Sequence, residues 1–340
     1  MFRTLLERLL RHEDLSTDAT EAAMAAIMRG DAGAATIAGF LVALRAKGER
    51  PAEIVGLARA MRAAAVPLAS RVDEAFDTCG TGGDGAGTIN VSSLTALVVA
   101  AAGVPVAKHG NRSVSSQCGS ADVFEALGVR IDAPPAVVER SLRTAGIAFF
   151  FAPTFHPAMR HAAPVRKELG VRSAFNLLGP LTNPAGARRQ LVGVPRPELT
   201  ELVARTLGLR GSEHVWVVHA ADGLDELSTT GYSKVSECRH GVMRTFYVHP
   251  SDFGLPKGEL ADLSGGDAAT NARIAGAVLQ GQAGPARDIV LLNAGAALFI
   301  AGRAASVHEG IQLAATTLDE GQAAGILDRM VDASQGDGER

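Results

Sequence analysis

Aromatic side chains are scarce in this chain of 340 residues: they make up 4%, with one Trp and two Tyr. The small residues that replace them, 38 Gly and many Ala, favour close-packed helices and helix-on-sheet layers over an all-β sandwich. Cysteine is equally sparse. Cys79, Cys118 and Cys238 lie far apart, which suits neither a disulfide framework nor a C-x-x-C zinc site. Charge of one sign is missing too, with 33 basic residues against 36 acidic and a net of −3. A duplex-binding protein carries a clear basic surplus, so no nucleic-acid partner is expected. No apolar run is long enough to span a bilayer without a charge or a glycine interrupting it, so no membrane partner is expected either. The stretch MFRTLLERLLRHEDL is charged throughout and lacks the apolar centre of a signal peptide. These absences predict a cytoplasmic protein.

What is present is enough apolar material, 47%, for a sizeable core, in a chain long enough for two domains. Residues 1–70 read as helices without strands. Leu5, Leu6, Leu9 and Leu10 fall at helical spacing. Asp18 is placed to cap a second helix with Glu21 as its reciprocal partner, and Gly30 to end it. A third run covers Ala35 to Ala46, and a fourth opens on Pro51, a favourable first-turn residue. From about residue 72 strand-length apolar runs alternate with helical stretches. Strands are predicted at Val104 to Ala107, Ile147 to Phe151 and His214 to His219. Helices are predicted at Ser92 to Ala102, Ser120 to Leu127, Pro134 to Ala145, Pro197 to Leu207 and Pro285 to Ala301. The alternation implies an α/β fold: a small helical domain beside a larger α/β domain with a mostly parallel central sheet flanked by helices. The expected domains are 1–70, joined by part of 156–185 where no strand pattern appears, and 71–335.

Three stretches carry chemistry. Residues 77–93 hold Gly80, Gly82, Gly83, Gly85 and Gly87 before a helix, with Thr88, Asn90, Ser92 and Ser93 at its mouth. Glycines let backbone N–H groups converge on an anion, and the helix start adds its positive end. The same run also suits a flexible surface loop. It is neither a dinucleotide fingerprint nor a Walker loop. Lys108-His109-Gly110-Asn111-Arg112-Ser113 follows a strand, where ligands of open α/β sheets bind. Its two cations can neutralise phosphate, although a solvated polar turn reads alike. Asp222-Gly223-Leu224-Asp225-Glu226 follows another strand. Its carboxylates are hard oxygen donors of the kind magnesium takes, and alone they would read as an acidic surface turn.

Taken together, GTGGD at 80–84, T-x-N-x-S-S at 88–93, KHGNR-x-x-SS at 108–116, GSAD at 119–122, HPAMR at 156–160, FNLLGPLTNP at 175–184 and DGLDELS at 222–228 resemble the anthranilate phosphoribosyltransferase family, in the family's order. The resemblance spans about residues 5–330. It implies phosphoribosyl transfer from phosphoribosyl pyrophosphate (PRPP) to anthranilate in tryptophan biosynthesis, with Mg2+ as cofactor. By the same resemblance Gly80, Gly83, Asp84, Thr88, Asn90, Val91, Ser92, Ser93, Lys108, His109, Gly110, Asn111, Arg112, Ser113, Val114, Ser115, Ser116 and Ser120 form the PRPP set. Gly80, Asn111 and Arg166 form the anthranilate set, and Ser92, Asp225 and Glu226 the magnesium set. His109, Pro153, His156 and Pro180 line the anthranilate channel, and His109 is a weak candidate for a general base. The resemblance also implies a homodimer. Cys118 stands where serine is usual, Ala220-Ala221 where glycine is usual, and Ser173 where threonine is usual. Two other readings stay open: a pyrimidine nucleoside phosphorylase, and a non-catalytic nucleic-acid-binding relative.

Overall fold

The structure, a computed structural model, describes residues 1–69, 72, 74–113 and 117–336. Helices α1 (Phe2–Leu10), α2 (Thr17–Arg29), α3 (Ala34–Lys47) and α4 (Pro51–Ala63) form an N-terminal bundle. There follow β1 (Phe76–Gly80), α5 (Val91–Ala101), β2 (Val106–Gly110), α6 (Ser120–Ala126), α7 (Pro135–Ala145), β3 (Ile147–Phe151), α8 (Ala152–Phe155), α9 (Ala163–Leu169), α10 (Phe175–Leu178), β4 (Arg189–Gly193), α11 (Leu199–Leu209), β5 (His214–Ala220), β6 (Ser233–Arg239) and β7 (Val242–Val248). The chain closes with α12 (Ala268–Leu279), α13 (Pro285–Ile300), α14 (Val307–Asp319) and α15 (Gln322–Gln335). No helix among the described residues is long and apolar enough to cross a membrane.

Several local expectations are corrected. The cap of α2 is Ser16, whose hydroxyl accepts from the Ala19 N–H, while Asp18 sits in the first turn where its charge meets the positive helix end. Gly30 does end that helix, in the left-handed conformation (φ 80°). Strand β2 starts at Val106, not Val104, and runs on to Gly110. α5 begins at Val91 with Asn90 before it, α7 has Pro134 outside its first turn, and α11 begins two residues after Pro197.

Inside the bundle one carboxylate ties three elements together. Glu53 is fully buried and accepts from the Leu15 N–H (2.8 Å), the Arg50 N–H (2.8 Å) and the Lys47 ammonium (3.0 Å). Gly56, one turn further along α4, lets α2 come so close that a Cβ there would stand 2.2 Å from the Thr17 carbonyl oxygen.

The seven strands order as β3-β2-β1-β4-β5-β6-β7, parallel through β5 and antiparallel beyond. Alternate side chains serve opposite layers. Trp216 and Val218 join the core under α5, α13, α14 and α15, whereas Val215 and Val217 join a core shared with α11 and the bundle. That second core also takes in Val165 of α9 and Phe175, Leu177 and Leu178 of α10, so residues 157–178 pack on the bundle. The parallel strand order runs outward in both directions from β1 and β4. Crossovers on either side leave opposite faces there, which opens a crevice at the strands' carboxyl ends.

Replacing Glu53 by Ala leaves the Leu15 and Arg50 N–H groups without their buried acceptor and leaves the enclosed Lys47 ammonium with Asp14 as its one ion-pair partner among the described residues. A loss of about 3–5 kcal/mol in urea unfolding is expected; a loss within 1 kcal/mol, on the order of a surface pair, would refute the buried role.

Candidate active site

The crevice between β1 and β4 is where the predicted residues gather. Gly80 ends β1 and Gly193 ends β4, paired in register. Neither tolerates a side chain. A Cβ on Gly80 would lie 2.5 Å from the Asp225 carboxylate, and one on Gly193 would lie 1.6 Å from the Asp225 carbonyl oxygen. The Asp222–Glu226 loop, leaving β5, is thereby laid across the strand ends. The Gly82 N–H donates to Asp225 Oδ2 (3.1 Å), and the Ser92 N–H at the start of α5 donates to Glu226 Oε1 (3.2 Å).

That acidic loop is held from behind. The Asp222 carboxylate accepts from the Leu224 N–H (3.1 Å) and from the hydroxyls of Ser228 and Thr230. Asn293 of α13, fully buried, accepts from the Leu227 N–H (3.1 Å) and donates to the Leu227 carbonyl (2.8 Å).

Lys108 on β2 is buried, with its ammonium donating to the Thr78 carbonyl and to Ser92 Oγ (3.3 Å). A buried cation beside two enclosed carboxylates is an electrostatic arrangement that needs its partners. Enclosure and the Asp84 charge push Asp225 up to about 7. Enclosure and the Asp225 charge raise Glu226 as well, with Lys108 opposing. Three carboxylates therefore repel one another with too little positive charge among them. This fits a divalent cation. No group of three His, Cys, Asp or Glu converges as a metal cage among the described residues. Two carboxylates and the Ser92 hydroxyl suit magnesium, which keeps water and substrate oxygens as its remaining ligands.

The loop from Gly87 to Asn90 is pinned by the segment before α12. Thr88 bridges Ser264, and the Gly265 N–H donates to the Gly87 carbonyl (2.9 Å). Asn90 donates to the Cys118 carbonyl (3.1 Å) and accepts from Asn271 (2.9 Å). Val91 turns its side chain into the core, and Ser93 is buried with a hydroxyl that has no hydrogen-bond partner among the described residues. After β2, Gly110 leaves room for Ser120 and Phe149, and Ser120 donates to the Asn111 carbonyl (3.3 Å). The Ser113 N–H donates to Asp122 (3.0 Å). Arg112 is the one predicted cation spent elsewhere: its guanidinium meets Asp122 (3.0 Å) and Glu125 (2.7 Å) on α6. Val114, Ser115 and Ser116 lie outside the described residues.

On the helical side His109 and His156 face each other, ring centroids 5.2 Å apart. His109 Nδ1 is 3.0 Å from the Gly179 carbonyl, which places its proton there and leaves Nε2, buried without a partner, as a lone pair. Burial pushes His109 down to about 3 and His156 down to about 4. Arg166 lies over the Phe175 ring, 5.1 Å from its centroid. No carboxylate pairs with it among the described residues, so this partly enclosed guanidinium has donors to spare for an anion.

A family model described as "Glycosyl transferase family, a/b domain" matches residues 72–324, and one described as "Glycosyl transferase family, helical bundle domain" matches residues 3–65. The anthranilate phosphoribosyltransferase of Moorella thermoacetica is 54% identical over 331 residues, covering 97% of this chain and 98% of that one. The chain belongs to the anthranilate phosphoribosyltransferase family. The family's enzyme from Solibacter usitatus is 51% identical over 96% of this chain and 97% of its own. Among solved structures, the family member from Thermus thermophilus superposes with a TM-score of 0.92 at 45% identity, covering 98% of this chain and 99% of that one. The member from Saccharomyces cerevisiae, solved in complex with PRPP and Mg, gives 0.88 at 27% identity, covering 98% and 97%.

Residue-by-residue reading missed Gly193, Asn293 and Arg172 as parts of this site, and took Asp222 with the acidic donors where the structure has it holding the loop from behind. Arg172 donates to the Gly82 carbonyl (2.8 Å). The only trace of it in the sequence is the demand of Gly83 for no side chain.

A pH dependence follows from the histidines. Unfolded imidazoles take up protons near 6.5, whereas the folded pair does so only near 3 and 4. The unfolded chain binds more protons between those values. Stability from this pair is therefore complete above about 6.5 and is lost as pH falls toward 4. Replacing His156 by Gln should remove roughly 3 kcal/mol of the drop in unfolding free energy between pH 7 and 4; an undiminished drop would show that His156 is not held neutral.

Proposed function

We propose that this chain transfers the phosphoribosyl group of PRPP to the amine of anthranilate, giving N-(5-phosphoribosyl)anthranilate and pyrophosphate, in tryptophan biosynthesis. The observation that carries the reading at this chain's own residues is the meeting of three loops, after β1, β2 and β5, at one crevice, tied together by the Gly82–Asp225 and Ser92–Glu226 hydrogen bonds.

Cleaving the bond between ribose C1 and pyrophosphate builds positive charge on the sugar and negative charge on the leaving group. Bound magnesium supplies positive charge against the departing pyrophosphate. Asp225, Glu226 and Ser92 are the residues that would hold it. Lys108 and the N–H groups of Gly83 and Asp84 hold the phosphates from the strand side, the Thr81 and Gly82 N–H groups being taken by Gly193 and Asp225. Thr88, Asn90, Ser93, Gly110, Asn111, Ser113 and Ser120 frame the remaining rim. Arg166 binds the anthranilate carboxylate and so aims the amine at C1, with Asn111 setting the ring. His109 shapes the acceptor channel. With its pKa near 3 it is a weak base at neutral pH, and the amine's proton becomes acidic once the new bond forms.

The second product of this fold plan, a nucleoside phosphorylase, is disfavoured by the acidic pair, which suits a magnesium pyrophosphate better than free phosphate. We also assign a homodimer through the bundle. Leu10 and Val42, exposed on α1 and α3, support it, and sedimentation tests it. The three cysteines, free and buried, accord with a reducing cytoplasm.

The deciding experiment is loss of anthranilate fluorescence with PRPP and Mg2+, run beside a control lacking magnesium. Magnesium-dependent loss at catalytic enzyme concentrations is expected; no loss, with thymidine or uridine phosphorolysis instead, would transfer the chain to the rival activity. Arg166→Ala should raise KM for anthranilate at least about tenfold and leave KM for PRPP within about twofold. Equal effects on both would remove Arg166 from the acceptor site. Asp225→Asn combined with Glu226→Gln should abolish turnover or move the magnesium optimum, and an unchanged magnesium profile would end the metal assignment.

A further inference from the structure

We propose that Arg172 is a positioning residue for PRPP: it clamps the glycine loop into the shape that cradles phosphate, from a segment that belongs to the acceptor side. The inference rests on the PRPP reading above.

Arg172 lies between α9 and α10, six residues beyond Arg166, on the stretch that packs against the bundle. Its guanidinium reaches across the crevice. Nη2 donates to the Gly82 carbonyl at 2.8 Å, a contact spanning 90 residues of sequence. Nη1 occupies the space a side chain on Gly83 would need, 1.7 Å from the position of a Cβ. Gly83 itself has φ 85°, so it is glycine for two reasons, its backbone and its neighbour.

With the Gly82 carbonyl turned to Arg172, the Gly82 N–H is turned to Asp225. The two contacts fix the peptide planes on both sides of Gly82. A loop with five glycines has many conformations open to it, and ordering it at binding would cost affinity. Arg172 orders it beforehand. No carboxylate forms an ion pair with Arg172 among the described residues. Asp84 and Asp225 attract it electrostatically, while Arg45 and Arg196 repel it. Its charge thus faces Asp84 and Asp225 from the helical side, while Lys108 faces Glu226. Among the described residues the remaining guanidinium N–H groups have no acceptor, which leaves them for a phosphate oxygen.

Both substrates then meet one short segment. Arg166 holds the acceptor's carboxylate and Arg172 holds the donor's loop, six residues apart, so a shift of that segment moves both.

The test is calorimetric binding of magnesium–PRPP to the full-length protein, with anthranilate kinetics alongside. Arg172→Gln should weaken magnesium–PRPP at least about tenfold, the scale of a lost charge-assisted hydrogen bond. KM for anthranilate should stay within about twofold, and the unfolding midpoint should stay near that of the wild type. Arg172→Lys, which keeps charge but not the fork, should fall between the two. Wild-type affinity in Arg172→Gln, or an equal loss of affinity for both substrates, overturns the clamp. A wild-type protein that fails to bind magnesium–PRPP overturns the PRPP reading and the clamp together.

Discussion

Asp225 rests against two strand ends that carry no side chains. A methyl group on Gly80 or Gly193 would occupy the volume of its carboxylate or its backbone. This close approach sets the depth of the crevice, the enclosure of both acids and their distance from Lys108. It also explains why the acids titrate high. They sit in protein rather than in water, and the Gly82 N–H and Arg172 at Asp225, with Lys108 and the Ser92 N–H at Glu226, offset them in part. Every polar contact of the crevice depends on this seat, because the glycine loop, the α5 start and the acidic loop are each hydrogen-bonded to another of the three.

The division of labour across the crevice follows from the layers. The strand side is rich in backbone N–H groups and buried charge and suits a polyanion. The helical side offers imidazoles held neutral by burial, an aromatic ring and the Arg166 guanidinium over it, which suits a flat acid with an amine. Neither side is complete alone. The chain returns from the sheet to the bundle at residues 157–178, and this return brings Arg172 against the glycine loop beyond β1.

Strands β3 and β5 are legible because their apolar runs are unbroken. Strand β1 is not. Its FDTCG sequence buries Asp77 and Thr78, and Asp77 is satisfied by the His109 N–H and Asn183, partners from distant segments that no periodicity shows. Strand β6 hides Ser236 and Glu237 in the same way, the latter accepting from His214 and Trp216. β7 is an edge strand whose exposed Val242 and Tyr247 blur the pattern, although Phe246 and Val248 pack inward on the Trp216 core. The glycine, KHGNR and acidic motifs were legible in kind, since loop composition states its chemistry. The role of Arg166 came only through family resemblance, and Arg172 came through neither. Its meaning lies in a contact 90 residues away.

Asn293 holds both backbone groups of Leu227, the residue next to Glu226, from a helix that touches no ligand in the proposed scheme. Helix α13 is in turn packed on α14 through Gly295 and Gly310, at backbone contact. The spacing of the acidic pair is therefore set by how two helices behind the sheet nest together. Divergence among relatives can retune that spacing by fractions of an ångström through substitutions in the back layer, while every ligand-facing side chain stays the same. Two members with identical binding residues can then differ in their demand for the cation, and the cause would be found in the packing of α13 rather than in the crevice.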